Sequence, residues 1–452
     1  MKFSSSSIGA LGASVLLATS AGAMELNIDS PDSIKNAAKL AAAGMTKFYT
    51  GYKPGDVPGN LPDPYYWWEC GAMMNALIDY WAYTGDSQYL NITTQAMEHQ
   101  IGDFNAFMPP NQTKTLGNDD QAFWGFAAMS AAENKLPDLG NGKPSWLGLA
   151  QAVFNTQVPR WNQKTCAGGL NWQIFPLNQG FDYKNTISNG CFFNIAARLY
   201  KYTKNDTYLT WANKAWDWQE QVGHIHDVAG YYFYDGSSEN NNCTEISRIQ
   251  WTYNAGVHLA GTAALWNATQ DEVWKTKTNK IIKGLDVFFK NNVMFEVACE
   301  ENGKCNTDQR SFKAYLSRWM GYAMLTAPFT KDLLWPRLTT SAQAAAKQCT
   351  ASGTEATCGL KWTLNGQNDG SVGVGENMAA LEVMQNLLIP QAAGPVTETG
   401  GGVSKSDPNA GAGAKTTTVV FDEVTTGDKA GAGILTTLIL VVILAGAWWM
   451  VS

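Results

Sequence analysis

The feature that most constrains this chain is an alternation of short and long connections between helix-like segments. Apolar residues recur at three- and four-residue spacing over 32–48, 67–84, 87–104, 119–134, 144–159, 186–203, 206–222, 250–267, 271–290, 310–327, 331–347 and 374–388. Three connections are brief and polar: Tyr83-Thr84-Gly85-Asp86, Tyr202-Thr203-Lys204-Asn205-Asp206 and Ala268-Thr269-Gln270-Asp271. Each carries a residue able to cap the next helix, so each makes an antiparallel hairpin. The intervening connections, 49–66, 105–118, 160–185, 223–249, 291–309 and 348–373, are long. Short and long loops thus alternate around twelve helical segments, which predicts an all-α chain, an (α/α)6 toroid, with a linear helical solenoid as the alternative. The even-numbered segments are richer in Gly, Ala and aromatics, as an inner ring requires. Their N-termini and the long loops then share one end, where function gathers. The best strand candidate is short, Tyr231-Tyr232-Phe233-Tyr234.

The two ends have a different grammar. Lys2 precedes an apolar run, Ile8 to Thr19, then Ala21-Gly22-Ala23, the pattern of a secretory signal peptide cut after about Ala23. Ile434 to Val451 is unbroken apolar sequence with no Lys or Arg after it. Small residues around Gly427 and Asp428 precede it, so the end reads as a GPI-attachment signal, those two being candidate attachment residues. Gln391 to Gly433 is Gly, Thr, Ala, Ser and Pro, the composition of a flexible stalk. The expected location is the secretory pathway and then the outer face of the plasma membrane and the cell wall. Eight Cys suit that oxidising compartment. Cys299/Cys305 and Cys349/Cys358 are close enough to pair locally, while Cys70, Cys166, Cys191 and Cys243 leave three pairings open. Sequons at Asn91, Asn111, Asn205, Asn242 and Asn267 permit N-glycosylation.

Composition narrows the ligand. A net charge of −7 gives no means of neutralising a row of phosphates, so no nucleic-acid partner is expected. Eighteen Trp, 17 Tyr and 18 Phe are more ring surface than packing alone requires, and suit sugars with C–H faces and hydroxyl rims. There is no HExxH, GxSxG or CxxC, and His224-Ile225-His226-Asp227 is weak as a metal site. No metal and no cofactor is expected.

The fourth segment opens Leu116-Gly117-Asn118-Asp119-Asp120-Gln121. Two adjacent carboxylates repel, so one keeps its proton where the other ionises, giving a nucleophile and a general acid. Asn and Asp also suit a helix N-terminus, and pattern alone favours capping. The other inner openings tip the balance: Trp67-Trp68-Glu69, Asn185-Thr186-Ile187-Ser188-Asn189, Trp251-Thr252-Tyr253-Asn254, Asp308-Gln309-Arg310 and Gly373-Val374-Gly375-Glu376. A toroid brings them to one acidic, aromatic mouth. Trp67, Trp124, Trp251 and Tyr253 are the expected stacking platforms, and Asn185, Asn189 and Asn254 the expected hydroxyl-binding amides.

These motifs, with Tyr183-Lys184-Asn185-Thr186-Ile187-Ser188-Asn189-Gly190, Thr252-Tyr253-Asn254-Ala255-Gly256 and Phe312-Lys313-Ala314-Tyr315, resemble glycoside hydrolase family 76 over about 26–388. Within it the chain is similar to the fungal GPI-anchored Dfg/Dcw-type branch of mannan endo-1,6-α-mannosidases. The resemblance implies Asp119 as nucleophile and Asp120 as acid/base of a retaining enzyme. It implies as partners a mannose-containing glycan, such as the GPI core or α-1,6-mannan, and a β-glucan acceptor in the wall. A non-catalytic wall protein binding glycan in the same cleft is the rival. The expected organisation is a signal peptide at 1–23, one catalytic domain at 24–390, a stalk at 391–427 and the anchoring signal at 428–452.

Overall fold

The computed structural model describes residues 22–140, 142–364, 368–414 and 425–451, in two units divided at Lys415/Thr416. The expected signal peptide lies outside them except for Gly22–Ala23, which pairs with Ala351 and Thr350.

Among the described residues, twelve α-helices build the first unit. They are α1 (Pro31–Thr46), α2 (Trp67–Thr84), α3 (Leu90–His99), α4 (Asn118–Glu133), α5 (Trp146–Gln157) and α6 (Thr186–Thr203), then α7 (Asp206–Gln221), α8 (Thr252–Thr269), α9 (Glu272–Gly284), α10 (Phe312–Thr326), α11 (Lys331–Lys347) and α12 (Val374–Gln385). The short turns after α2, α6 and α8 close in the left-handed region at Gly85, Lys204 and Gln270, with φ of 79°, 59° and 58°. Asn205 and Asp271 then accept from the Thr207 and Val273 N–H groups at 3.0 and 2.9 Å, capping α7 and α9. Two expected helices are shorter than their periodicity suggests. The third stops at His99, and the chain beyond it turns through positive φ at Gly102, Phe104, Asn105 and Phe107; the ninth stops at Gly284, giving way to a hairpin at Phe289–Met294.

The even helices pack in a closed ring, α2 on α4, α4 on α6, and so on to α12 on α2, with the odd helices outside. This is the (α/α)6 toroid. Inner helices are buried nearly all round, α4 burying every residue except Asp120. Deep in the ring, Arg318 Nε lies 3.1 Å from Asp79 Oδ2 and donates to Glu382 Oε1 at 2.9 Å. Arg198 Nη2 donates to Glu133 Oε2 at 2.6 Å, and the Tyr322 hydroxyl donates to Glu133 Oε1 at 2.8 Å.

The long loops cover the inner-helix N-termini. Strands Tyr183–Asn185, Ile225–Asp227, Tyr231–Ser238 and Ile246–Gln250 form an antiparallel sheet there, which includes the expected strand. Cys166–Cys243 ties two of these loops, while Cys299–Cys305 and Cys349–Cys358 close local ones. Cys70 and Cys191, which the even cysteine count had suggested were paired, are free and buried.

The segment expected as a flexible stalk from Gln391 is instead held to the helices as far as Ala410. The Val396 and Glu398 N–H groups donate to the carbonyls of Glu133 and Tyr202 at 3.0 Å each. Ser404 Oγ donates to Asp138 Oδ1 at 2.7 Å, and Asn155 Nδ2 donates to the Ala410 carbonyl at 2.8 Å. Hydroxyl and backbone groups make this attachment, so a sequence poor in large apolar residues still docks. Residues 415–424 of the expected stalk lie outside the described residues. Among the described residues the second unit holds the helix Thr426–Val451, long and apolar enough to cross a membrane; Gly427 and Asp428 are in its first turn.

Candidate active site

Asp119 and Asp120 stand at the mouth because the chain pairs on either side of them. Asn118 N donates to the Trp172 carbonyl at 2.8 Å and Ile174 N to the Leu116 carbonyl at 3.1 Å, a local bridge that lays Trp172 over the start of α4. Arg160 Nη1 donates to Asn118 Oδ1 at 2.8 Å and to Gln121 Oε1 at 2.7 Å, fixing the residues that flank the pair.

The carboxylates differ in partners. Asp119 is 8% exposed; its Oδ2 accepts from Asn185 Nδ2 at 3.2 Å and its Oδ1 from the Asp120 N–H at 3.1 Å. Burial pushes its carboxyl up to about 7, while those bonds favour the ionised form. Asp120 Oδ2 accepts from the Gly117 N–H at 2.7 Å, so the capping reading also holds. Burial and repulsion by Asp119, with a further contribution from Asp308, hold Asp120 well above the ordinary carboxylate range. The pair therefore loses its protons in two steps, with Asp120 the better holder. A Cβ on Gly117 would stand 2.4 Å from Asp119 Oδ1 and 3.1 Å from Asp120 Oδ2. Both carboxylates therefore stand against the same glycine.

Two cavities meet here. One of about 310 Å³ is bounded by Asp119, Asp120, Asn185, Asp235, Asp308 and Gln309, with the rings of Trp68, Phe123, Trp172, Tyr183, Trp251, Tyr253 and Phe312. A second, of about 360 Å³, runs on past Trp67, Lys114, Gln173, Asn178 and Gln179. Asp120, Trp68, Trp172 and Asp308 line both; Asp119 lines only the first.

Of the expected binding residues, Asn185, Trp251 and Tyr253 line the first cavity and Trp67 the second. Three expectations are corrected. Trp124 is fully buried one turn below Asp120, stacked against Trp67 and Phe107 with ring centroids 5.2 and 5.7 Å away, so its faces are taken. Asn189 spends its amide on the Leu170 backbone, donating to its carbonyl at 3.0 Å and accepting its N–H at 2.8 Å. That bond holds the loop carrying Trp172. Asn254 is fully buried and lines neither cavity. Trp172 and Asp235 escaped sequence reasoning because long-range pairing delivers them. Asp235 accepts from the Tyr183 hydroxyl at 2.7 Å and from Trp251 Nε1 at 2.9 Å, orienting both rings. Asp308 and Trp68 belonged to helix openings already marked as polar and aromatic.

Among the sequons, Asn91, Asn111, Asn242 and Asn267 are exposed and Asn205 is half-buried.

A helical toroid whose mouth carries two unequal carboxylates, one buried and one half-buried, among aromatic rings is the frame of a glycoside-cleaving enzyme. Residues 33–399 match the sequence profile of glycosyl hydrolase family 76. The chain is 46% identical over 445 residues to mannan endo-1,6-alpha-mannosidase DCW1 of Saccharomyces cerevisiae, with 98% of each covered. It is 44% identical to mannan endo-1,6-alpha-mannosidase DFG5 of the same yeast, over 95% of this chain and 94% of that one. The crystal structure of Dfg5 from Chaetomium thermophilum in complex with glucosamine matches it with a TM-score of 0.82 at 45% identity, covering 87% of this chain and 99% of that one. An inactive variant of the α-1,6-mannanase of Salegentibacter sp. HEL1_6, substituted at two adjacent aspartates and bound to α-1,6-mannotriose, shares the fold. Its TM-score is 0.63 at 17% identity, over 78% of this chain and 99% of that one. The chain belongs to glycosyl hydrolase family 76, and it is an enzyme.

Gly117→Ala tests the packing around the pair. The added methyl has to displace a carboxylate, so turnover should fall by about a hundredfold or more while far-UV circular dichroism is unchanged. Turnover near that of the wild type would mean that the carboxylates are not held against this glycine.

Proposed function

We propose that the protein is a retaining endo-acting enzyme on α-1,6-linked mannose chains. The observation that carries this reading is the unequal environment of Asp119 and Asp120, two carboxylates side by side where the two cavities meet. Asp119 attacks the anomeric carbon and forms a glycosyl ester as the bond to the leaving oxygen breaks. Asp120 gives its proton to that oxygen. Asp120, now a carboxylate, takes a proton from the incoming hydroxyl, whose oxygen attacks the same carbon and releases Asp119. Because Asp119 lines only the first cavity and Asp120 both, the sugar under attack lies in the first. The leaving group, and then the acceptor, lie in the second.

Water as acceptor gives hydrolysis, and a sugar hydroxyl gives transfer. The second cavity offers the amides Gln173, Asn178 and Gln179 beside Trp67, surfaces suited to a bound sugar acceptor. Our reading is transfer from the mannose core of a GPI anchor onto wall β-glucan, by an enzyme itself carried outside the cell on a GPI anchor. The apolar helix Thr426–Val451 supports the anchoring part. The similarity to DCW1 and DFG5, both mannan endo-1,6-alpha-mannosidases, supports the substrate class.

Asp119→Asn should abolish turnover, since an amide cannot form the ester, while leaving glycan binding intact. Asp120→Ala should keep activity only on donors with good leaving groups, and added azide should rescue it with a product of retained configuration. Product of inverted configuration, or near-wild-type turnover by Asp119→Asn, would refute the assignment. A merely glycan-binding protein would show no turnover with any α-mannoside. For the anchor, deleting residues 434–452 should release the protein into the medium, and continued membrane retention would count against a GPI signal.

A further inference from the structure

Asp308 is a third carboxylate at this mouth, and the mechanism above gives it no work. Its placement is rigid. The Cys299–Cys305 disulfide closes the loop before it, and Arg310 Nε donates to the Cys305 carbonyl at 3.3 Å. Asn306 and Gln309 exchange backbone-to-side-chain bonds of 3.0 and 2.9 Å across the turn. The 3-10 turn Asp308–Ser311 then runs directly into α10.

Within this frame Asp308 lines both cavities, as Asp120 does. Its Oδ1 is buried and accepts no hydrogen bond, and the Trp68 indole N–H serves the carboxylate. Asp235 differs, since both of its oxygens are taken. The guanidinium two residues on is engaged elsewhere: Arg310 Nη1 donates to Glu376 Oε1 at 3.1 Å. The groups that face Asp308 are Trp68 and Glu69 from α2, Asp120 from α4, Tyr253 from α8 and Tyr315 from α10. Glu69 is fully buried with neither oxygen hydrogen-bonded, and burial holds it well above the usual carboxylate range, so it stays neutral. Tyr253 and Tyr315 are raised by burial and also stay neutral. Among the described residues Asp308 is in no ion pair; Lys114 lines the second cavity with it, and its ionising neighbour at the junction is the acid/base, Asp120.

We propose that Asp308 is a positioning residue for Asp120, an anion at the junction of the two cavities that keeps the proton on the acid until the glycosidic oxygen takes it. The same charge makes the Asp120 carboxylate a stronger base in the second step. Burial pushes Asp308 up to about 6, and burial with repulsion by Asp119 and Asp308 holds Asp120 well above the ordinary carboxylate range. This rests on the reading of Asp120 as acid/base.

The test is the pH profile of kcat/KM for Asp308→Asn on two donors, an unactivated α-1,6-mannooligosaccharide and a dinitrophenyl α-mannoside. The alkaline limb for the oligosaccharide reports deprotonation of Asp120. Removing a nearby anion lowers that pKa, so the limb should move to lower pH by about half to one unit. Rates at higher pH should then drop several-fold, with the dinitrophenyl donor affected by less than about threefold. Asp308→Glu, which keeps the charge, should return the limb towards its wild-type position. Asp308→Ser should give the same shift as Asp308→Asn, and serves if the asparagine variant does not fold. A limb that stays put while both donors slow equally at every pH would overturn the proposal and leave Asp308 a sugar or scaffold contact. Asp120→Asn separates the two claims. If it keeps full activity on the oligosaccharide, the reading of Asp120 fails; if it is inactive while the Asp308→Asn limb is unmoved, only the proposal for Asp308 fails.

Discussion

The toroid depends on charge buried in its ring. Arg318 bonds Asp79 of α2 and Glu382 of α12, and Arg198 of α6 bonds Glu133 of α4, so five of the six inner helices are joined by two guanidiniums and three carboxylates. Such pairs contribute little net stability, because desolvation offsets attraction, but removing one partner typically costs about 3–5 kcal/mol. Their service is geometric, since a planar guanidinium accepts carboxylates only in its own fork. Three carboxylates against two cations leave an extra negative charge. Burial and the nearby Glu382 push Asp79 up to about 8, so a retained proton removes it.

With the deep end fixed, the N-terminal ends of the same helices meet at the mouth. The pair of aspartates is held there by neighbours that do no chemistry. Arg160 ties Asn118 and Gln121; Lys184 Nζ donates to the carbonyls of Asn162, Thr165 and Gly168, holding the loop that leads to Trp172. Buried carboxylates without cations are costly to keep, as expected of groups retained for catalysis.

Much of this was legible in the sequence. Short capped turns alternating with long loops between apolar-periodic segments predicted the toroid, and Gly117-Asn118-Asp119-Asp120 predicted a helix opening with unequal acids. What escaped has physical reasons. A helix buried on every face has no polar side to orient it, so Trp124, Asn189 and Asn254 could not be told from residues that face the cleft. Trp172 and Asp235 reach it through pairings far apart in sequence, 117 with 173 and 185 with 236. The segment up to Ala410 docks through hydroxyls and backbone groups, which leave no apolar signature.

The central claim is that Asp119 becomes covalently bound to sugar, and trapping that ester tests it most directly. A fluorinated α-mannosyl donor with a good leaving group should form the intermediate faster than it turns over. Intact mass spectrometry should then show one added glycosyl unit, and peptide mapping should place it on Asp119. No adduct under conditions of turnover, or an adduct on Asp120 or any other residue, would contradict the account.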